Sequence, residues 1–502
     1  MMERLEHALG GKRLWILLGA ASAVWIAFTA TMTVLRYRLN FSPAYDFGIF
    51  SQMYYYLDKC LEPLTTCERD GLLSHFAVHL SPIFYALLPV YKLIPRPETL
   101  LVLQALLVAS GLIPLCMLCR ALRFSRLATL AFGLIYCAYP AFLGGYFYDF
   151  HENKFLTVII LWAMYFLETR RFKSMLVCLA LLLTVKEDAP VYAACIGLYL
   201  FLEKREYRLG GLVFLASCLY FVGAVWYINR FGDGAMVGRF DNFISDKHLG
   251  LVSMFKTVLV NPAYVLSQIA VGDKILFLLE MLLPLAFLPL MTGKWQRWAL
   301  LIPLVLINLM SNYKYQHSIF FQYTYGSGAL LFYLALINFR DLKLPSVKPQ
   351  LLILGLACAL AITGTVVASK SKYARLYARH HEKAAQAREL LSGIPRDAAV
   401  RSSTFFVPQL SMRDEIYLLS SAHPADYAVV DLRKGYEKHL DEVLAELKRT
   451  GFEETEMCIR DSPSSDWPGP RRSTERDPSG RCGPSAASAP GRSAWSLSLI
   501  HI

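Results

Sequence analysis

The sequence predicts an all-α polytopic membrane protein carrying a small α/β appendix on the extracytoplasmic side. Three observations predict it. Of the 502 residues, 55% are hydrophobic and only 18% charged, whereas a soluble domain carries roughly 25% charged residues; mean hydropathy is +0.38. Apolar stretches recur between residues 14 and 368, and the short loops joining them hold many of the Lys and Arg residues, as orientation-setting loops do. Acids and histidines gather where those stretches break. The net charge of +12 therefore reads as topogenic charge in loops, and nucleic acid is excluded as a partner.

Residues 1–13 form a cytoplasmic N-terminus with Arg4, Lys12 and Arg13. Residues 14–35 then make an uncleaved first span, longer than the roughly 7–15 apolar residues of a cleavable signal. An outer loop follows with Asp46, Cys60, Cys67, His75 and His79. Cys60 and Cys67 share a compartment where a disulfide can form, and a disulfide and free thiols both stay open. Most other cysteines, such as Cys116, Cys119 and Cys195, lie in apolar segments and read as packing residues.

Residues 78–93, interrupted by Pro82 and Pro89, are expected along the outer leaflet, and 100–119 return inward to Arg120, Arg123 and Arg126. Residues 127–147 go out to Asp149, His151 and Glu152; 155–167 come back to Arg170 and Arg171. Residues 175–185 and 191–202 are each too short to span alone, about 20 residues being needed. With Lys186, Glu187, Asp188 and Pro190 between them they read as a broken hairpin whose tip lies below the outer surface, where polar backbone needs a protein or water-filled cover. Residues 211–228 lead out to a polar loop, 229–250, and an interfacial segment. Spans at 275–291, 299–310, 325–337 and 351–368 complete the path. The total is about eleven crossings, which puts every acid cluster and the chain after residue 369 on the extracytoplasmic face of the plasma (inner) membrane.

Residues 370–456 change to soluble character, with helical spacing at 373–391 and 436–449 and β-like runs at 398–401, 415–419 and 427–432. From residue 457 the chain is Ser-, Pro-, Arg- and Gly-rich without periodicity, the composition of a disordered segment. So abrupt a change also reads as out-of-frame or adapter-derived translation. Residues 457–502 are set aside from the fold, and the appendix reads as cut short where its next strand is due.

Each acid cluster has a chemical and a structural reading. Asp46, flanked by Tyr45 and Phe47 at the lipid–water boundary, suits a general base or the cap of a helix beginning near Phe47; spacing leaves both open. Asp149, His151 and Glu152 suit a divalent cation or the hydroxyls of a sugar, or a solvated turn. His75 and His79 share a face if helical, but lack the Glu of a zinc-protease helix. They fit interfacial hydrogen bonding, or contact with a lipid phosphate or metal. Lys186, Glu187 and Asp188 need partners at membrane depth. Lys186 can neutralise a phosphate, with Arg230, Arg239, Lys314 and His317 on the same face, or close a structural ion pair.

These residues resemble a bacterial polytopic membrane family, a domain of unknown function within the GT-C superfamily of lipid-phosphate-dependent glycosyltransferases. The resemblance rests on Tyr45-Asp46-Phe47-Gly48-Ile49-Phe50-Ser51-Gln52, on His75-Phe76 with His79-Leu80-Ser81-Pro82, on Asp149-Phe150-His151-Glu152, and on Lys186-Glu187-Asp188. Pro408 to Arg413 and Ala425-Asp426-Tyr427 resemble the family's outer appendix. It implies a GT-C-like transmembrane domain over residues 14–369 and an extracytoplasmic appendix over 370–456. It also implies transfer of a sugar from a polyprenyl-phosphate donor to an envelope acceptor, with Asp46 as the base. Asp149, His151, Glu152, Lys186, Glu187, Asp188, His75, His79, Arg230, Lys314 and His317 would bind substrate. Phe47 stands where many superfamily members carry a second acid, so a divalent cation stays an open cofactor. Two other classes compete: a transporter or lipid flippase, which also breaks helices around charges, and a non-catalytic envelope-assembly scaffold, which would tolerate loss of Asp46.

Overall fold

Length and apolarity decide which helices of the computed structural model can cross a bilayer. The structure describes residues 6, 9–232, 237–246, 248–433, 436–437, 439–455 and 495–500. Among them, five helices are long and apolar enough to span by length and composition: Gly11–Arg38, Pro97–Ala121, Arg126–Tyr146, Tyr207–Phe231 and the run Val347–Ser392. Each falls on a stretch expected to span. Shorter apolar helices among the described residues include Lys154–Glu168, Phe172–Leu183, Ala189–Leu202 and Tyr325–Asp341.

The chain divides into two compact units, Met1–Leu35 with Ser74–Arg375, and Arg36–Leu73 with Leu376–Ile502. In the first unit, helix Tyr325–Asp341 is buried from Tyr325 to Phe339 and packs on Lys154–Glu168, itself buried along most of its length. A helix apolar on every side belongs in a core, and this pair forms it.

The arms Ala189–Leu202 and Tyr207–Phe231 cross at two glycines. A Cβ on Gly197 would lie 2.6 Å from Phe214 N, and one on Gly210 would lie 2.6 Å from Phe201 N. Backbone thus meets backbone, the close approach that small residues permit between membrane helices.

Two stretches expected to be regular spans are not. Helix Gly272–Leu282 gives way to 3₁₀ turns at Leu283–Leu285 and Leu288–Leu290, because Pro284 and Pro289 remove backbone donors. Asn338 Nδ2 donates to the carbonyls of Leu288 (2.9 Å) and Pro289 (3.0 Å), so the freed acceptors are paired. Residues expected at 299–310 likewise fold as a 3₁₀ segment, Trp295–Leu301, and a π segment, Leu304–Leu309.

The second unit contains a five-stranded sheet of β1 (Val400–Ser402), β2 (Ile416–Leu418), β3 (Tyr427–Asp431), β4 (Phe452–Thr455) and β5 (Trp495–Ile500), in the order β2-β1-β3-β5-β4. All pairs are parallel, with Val400 opposite Ile416 and Tyr427. From sequence, residues 457–502 carry no element. The structure nevertheless places Trp495–Ile500 between β3 and β4, and its Trp-Ser-Leu-Ser-Leu-Ile alternation has the two-residue period of a strand. Residues 456–494 and 501–502 lie outside the described residues.

Residues 36–73, read from sequence as part of the transmembrane domain, group here with the appendix, and Gln52 shows why. Its Nε2 donates to Thr66 Oγ1 (2.9 Å) and Asp414 O (3.1 Å), while its Oε1 accepts from Thr66 N (2.8 Å). Ala44, Ile49 and Cys67 pack into one apolar core with Val400, Phe406, Val407, Leu410, Ile416 and Val429. Cys60 and Cys67 are both free thiols; Cys67 is buried beside Thr65, and Cys60 bonds to the Tyr56 carbonyl.

Candidate functional site

The first unit brings two of the three sequence clusters together. Between helices Pro140–Tyr146 and Lys154–Glu168 the chain turns at Asp149 with φ 111°, a conformation costing an L-residue roughly 1–3 kcal/mol and found chiefly where surroundings enforce it. The turn buries Asp149, His151 and Glu152 completely or nearly so. The arms Phe172–Leu183 and Ala189–Leu202 meet at Thr184–Asp188, where Ala189 N donates to Lys186 O (3.0 Å) and Pro190 sits at the start of the second arm. Lys186 folds inward, and its Nζ lies 2.9 Å from Glu152 Oε1. His151 Nδ1 is 3.0 Å from Glu152 Oε2. With Glu152 at 0% exposure and Lys186 at 3%, the two opposite charges pair inside the protein.

The loop before Pro82 completes the cluster. His79 Nδ1 lies 2.8 Å from Glu187 Oε1, and Ile83 N donates to Thr184 O (3.0 Å), tying the loop to the hairpin tip. His75 occupies a 3₁₀ turn, its ring 5.8 Å from that of His79 and 5.8 Å from Phe84. That turn ends at Ala77, so the stretch is not the helix on which both histidines would share a face, although His79 N donates to His75 O (2.8 Å).

A cavity of about 130 Å³ adjoins the cluster. Lys186, Glu187, Asp188, Arg239 and Gln316 supply its polar lining; Phe221, Val225, Met254, Phe255, Leu306 and Ile307 supply an apolar one. The Arg239 guanidinium is steadied over Tyr313 and Tyr323, 4.7 and 5.3 Å from their ring centroids. Two cations and two carboxylates thus stand beside an oily wall, a lining that suits a ligand with a polar head and a hydrocarbon body. The apolar lining, which also includes Val191 and Phe240, comes from five separate stretches of chain, so no local pattern marks it; the buried Lys154, whose Nζ donates to the Asp149 carbonyl, has no role in the sequence reading.

Three expected residues lie elsewhere in this unit. Arg230 is exposed at the end of Tyr207–Phe231, over the Phe231 ring. Lys314 is exposed over Tyr315. His317 is buried with Nε2 2.9 Å from Asp273 Oδ2; burial lowers its imidazole below the ordinary range while Asp273 pulls the other way. None of the three lines the cavity.

Asp46 belongs to the second unit. It sits in the five-residue π turn Ala44–Gly48 at φ 65°, ψ −73°, another costly conformation for a residue with a Cβ. The turn is pinned: Ala44 N donates to Thr404 Oγ1 (3.1 Å), Phe47 packs edge-on to Tyr37, and a Cβ on Gly48 would come 2.9 Å from Val407 Cγ1. Helix Ile49–Cys60 is capped by Gly48 without any side-chain bond, so Asp46 is not its cap.

Among the described residues, no three His, Cys, Asp or Glu groups converge in a metal-binding arrangement. Glu152 and Glu187 instead face Lys186, His151 and His79.

Residues 36–447 match the model of a family described as a predicted membrane protein (DUF2079). No curated protein matches the chain.

Proposed function

The chain belongs to the DUF2079 family of predicted membrane proteins, and on that premise we propose that it is a GT-C-type glycosyltransferase of the plasma membrane. It moves a sugar from a polyprenyl-phosphate donor to an envelope acceptor on the extracytoplasmic face, along the path of about eleven crossings read from the sequence. The observation that carries the reading is the cavity in which Lys186 and Arg239 stand with Phe221, Val225, Leu306 and Ile307. A lipid phosphate has the same two halves.

In this reading the acceptor hydroxyl gives its proton to a carboxylate base, the part that the family resemblance gives to Asp46, as its oxygen attacks the anomeric carbon. The bond from that carbon to the phosphate oxygen breaks, and the lipid phosphate departs with the bonding pair. Lys186 and Arg239 offset the charge that develops on the phosphate. Glu187 and Asp188 accept hydrogen bonds from sugar hydroxyls, and Glu152 holds Lys186 in position. His79 holds Glu187 and His151 holds Glu152.

Binding of a polyprenyl phosphate to purified protein in nanodiscs tests the donor site. Arg239→Gln should weaken binding by roughly 10- to 100-fold, the worth of a charge-assisted hydrogen bond. Leu306→Trp should weaken it by narrowing the apolar lining. Unchanged affinity in both folded variants would remove the lipid phosphate from this cavity. The broken hairpin favours a second reading, a lipid flippase, for which the labelled lipid would cross the bilayer with its sugar bond intact.

A further inference from the structure

We propose that the first unit holds a second lipid site, specific for an anionic phospholipid, between two helix connections flanked by basic residues. The first connection, residues 122–125, joins Pro97–Ala121 to Arg126–Tyr146; the second, 342–346, joins Tyr325–Asp341 to Val347–Lys370. A groove of about 520 Å³ lies between them. Its lining includes the cations Arg123, Arg340 and Lys348 and no carboxylate. Phe124, Leu127, Leu352 and Ile353 provide apolar surface for acyl chains.

The groove is built, not a gap between loose loops. Phe124 packs edge-on to Phe339 at 5.4 Å and stacks on Phe132 at 5.8 Å. Lys348 Nζ donates to Arg340 O (3.2 Å) and lies 5.2 Å from the Phe339 ring. Arg340 Nε donates to Asp341 Oδ1 (2.8 Å), which fixes its guanidinium at the edge of the groove. Arg123 is exposed and has no carboxylate partner among the described residues.

Backbone donors are already used here. Glu6 accepts from Arg126 N (2.6 Å) and Leu127 N (3.0 Å), and Ser125 Oγ accepts from Ala128 N. An anion in the groove is therefore held by side chains. Basic connections mark the cytoplasmic side, whose leaflet draws basic clusters to anionic headgroups. The site is thus distinct in lining and chemistry from the cavity at Lys186.

The test is lipid retention by the full chain purified from bilayers of equal phosphatidylglycerol and phosphatidylcholine, read by native mass spectrometry. Wild type should retain phosphatidylglycerol preferentially. Arg123→Gln/Lys348→Gln should lower that preference at least tenfold, roughly fivefold for each cation removed. Leu352→Trp should reduce retention without changing any charge. Arg120→Gln/Lys343→Gln removes two exposed cations, one beside the first connection and one within the second, that do not line the groove, and should keep the preference. Equal loss in both double variants would show a diffuse charge effect and overturn the site. So would equal retention of the two lipids by wild type, or an unchanged preference in the groove variant with an unchanged melting temperature.

Discussion

Lys186 and Glu152 are worth most to the protein as a pair. Both are buried, 2.9 Å apart, so removing one leaves the other charged and without its partner in a medium that penalises it. Lys186→Met should destabilise the protein by about 3–5 kcal/mol. Lys186→Met/Glu152→Leu should lose less than that single change, because it removes the stranded charge. Thermal unfolding in detergent checks this, and a double variant that loses the sum of both singles would contradict the pairing. The residue types were legible in the sequence, since Lys186, Glu187 and Asp188 interrupt an apolar run and have no cheap place in a membrane. Their partners were not legible, because Glu152 and His79 come from other turns of the chain. Hydropathy says that a buried charge needs a partner; only the fold says which. The strain at Asp46 and Asp149 was equally invisible, as nothing in the flanking residues forces a positive φ.

Element lengths were readable because apolar runs and basic loops are written directly into the chain. Gly11–Arg38, Arg126–Tyr146 and Tyr207–Phe231 fall on expected spans, and the two short arms flank Lys186 as expected. The breaks after Leu282 were harder to see, since Pro284 and Pro289 lie in a run that is apolar throughout and the rescuing donor, Asn338, is distant in sequence. Gly210 and Gly211 separate a packing glycine from an incidental one. A Cβ on Gly210 meets Phe201 N at 2.6 Å, whereas one on Gly211 meets nothing within 4 Å. Gly210→Ala should therefore cost about 1–3 kcal/mol by forcing the two helices apart. Gly211→Ala should be neutral or stabilise by up to about 1 kcal/mol through its helix preference. Melting temperatures of the two variants decide it; equal destabilisation would mean that the helices do not touch at Gly197 and Gly210.

At the scale of the molecule, the chain builds its second unit from two distant segments, Arg36–Leu73 and the chain after Leu376. Composition assigned the appendix its α/β character, because amphipathic spacing and short β-like runs replace the apolar stretches there. It did not assign residues 36–73 to that unit, since the contacts that recruit them, such as Gln52 to Asp414 O, Thr66 to Ile416 O and Lys59 to Asp414, join residues more than 300 positions apart. The proposed chemistry follows the same division of legibility: the acid after the first span is visible in the sequence, while the lining of the cavity beside Lys186 emerges only from the fold. The most direct test is sugar release from a panel of radiolabelled polyprenyl-phosphate sugars by purified protein in lipid, comparing wild type with Asp46→Asn. Wild type should release sugar from one donor class, and Asp46→Asn should fall by roughly 10²- to 10⁴-fold, the contribution of a general base, at equal amounts of folded protein. Equal release by the two proteins would contradict Asp46 as the base, and no release from any donor by folded wild type would contradict the transferase itself.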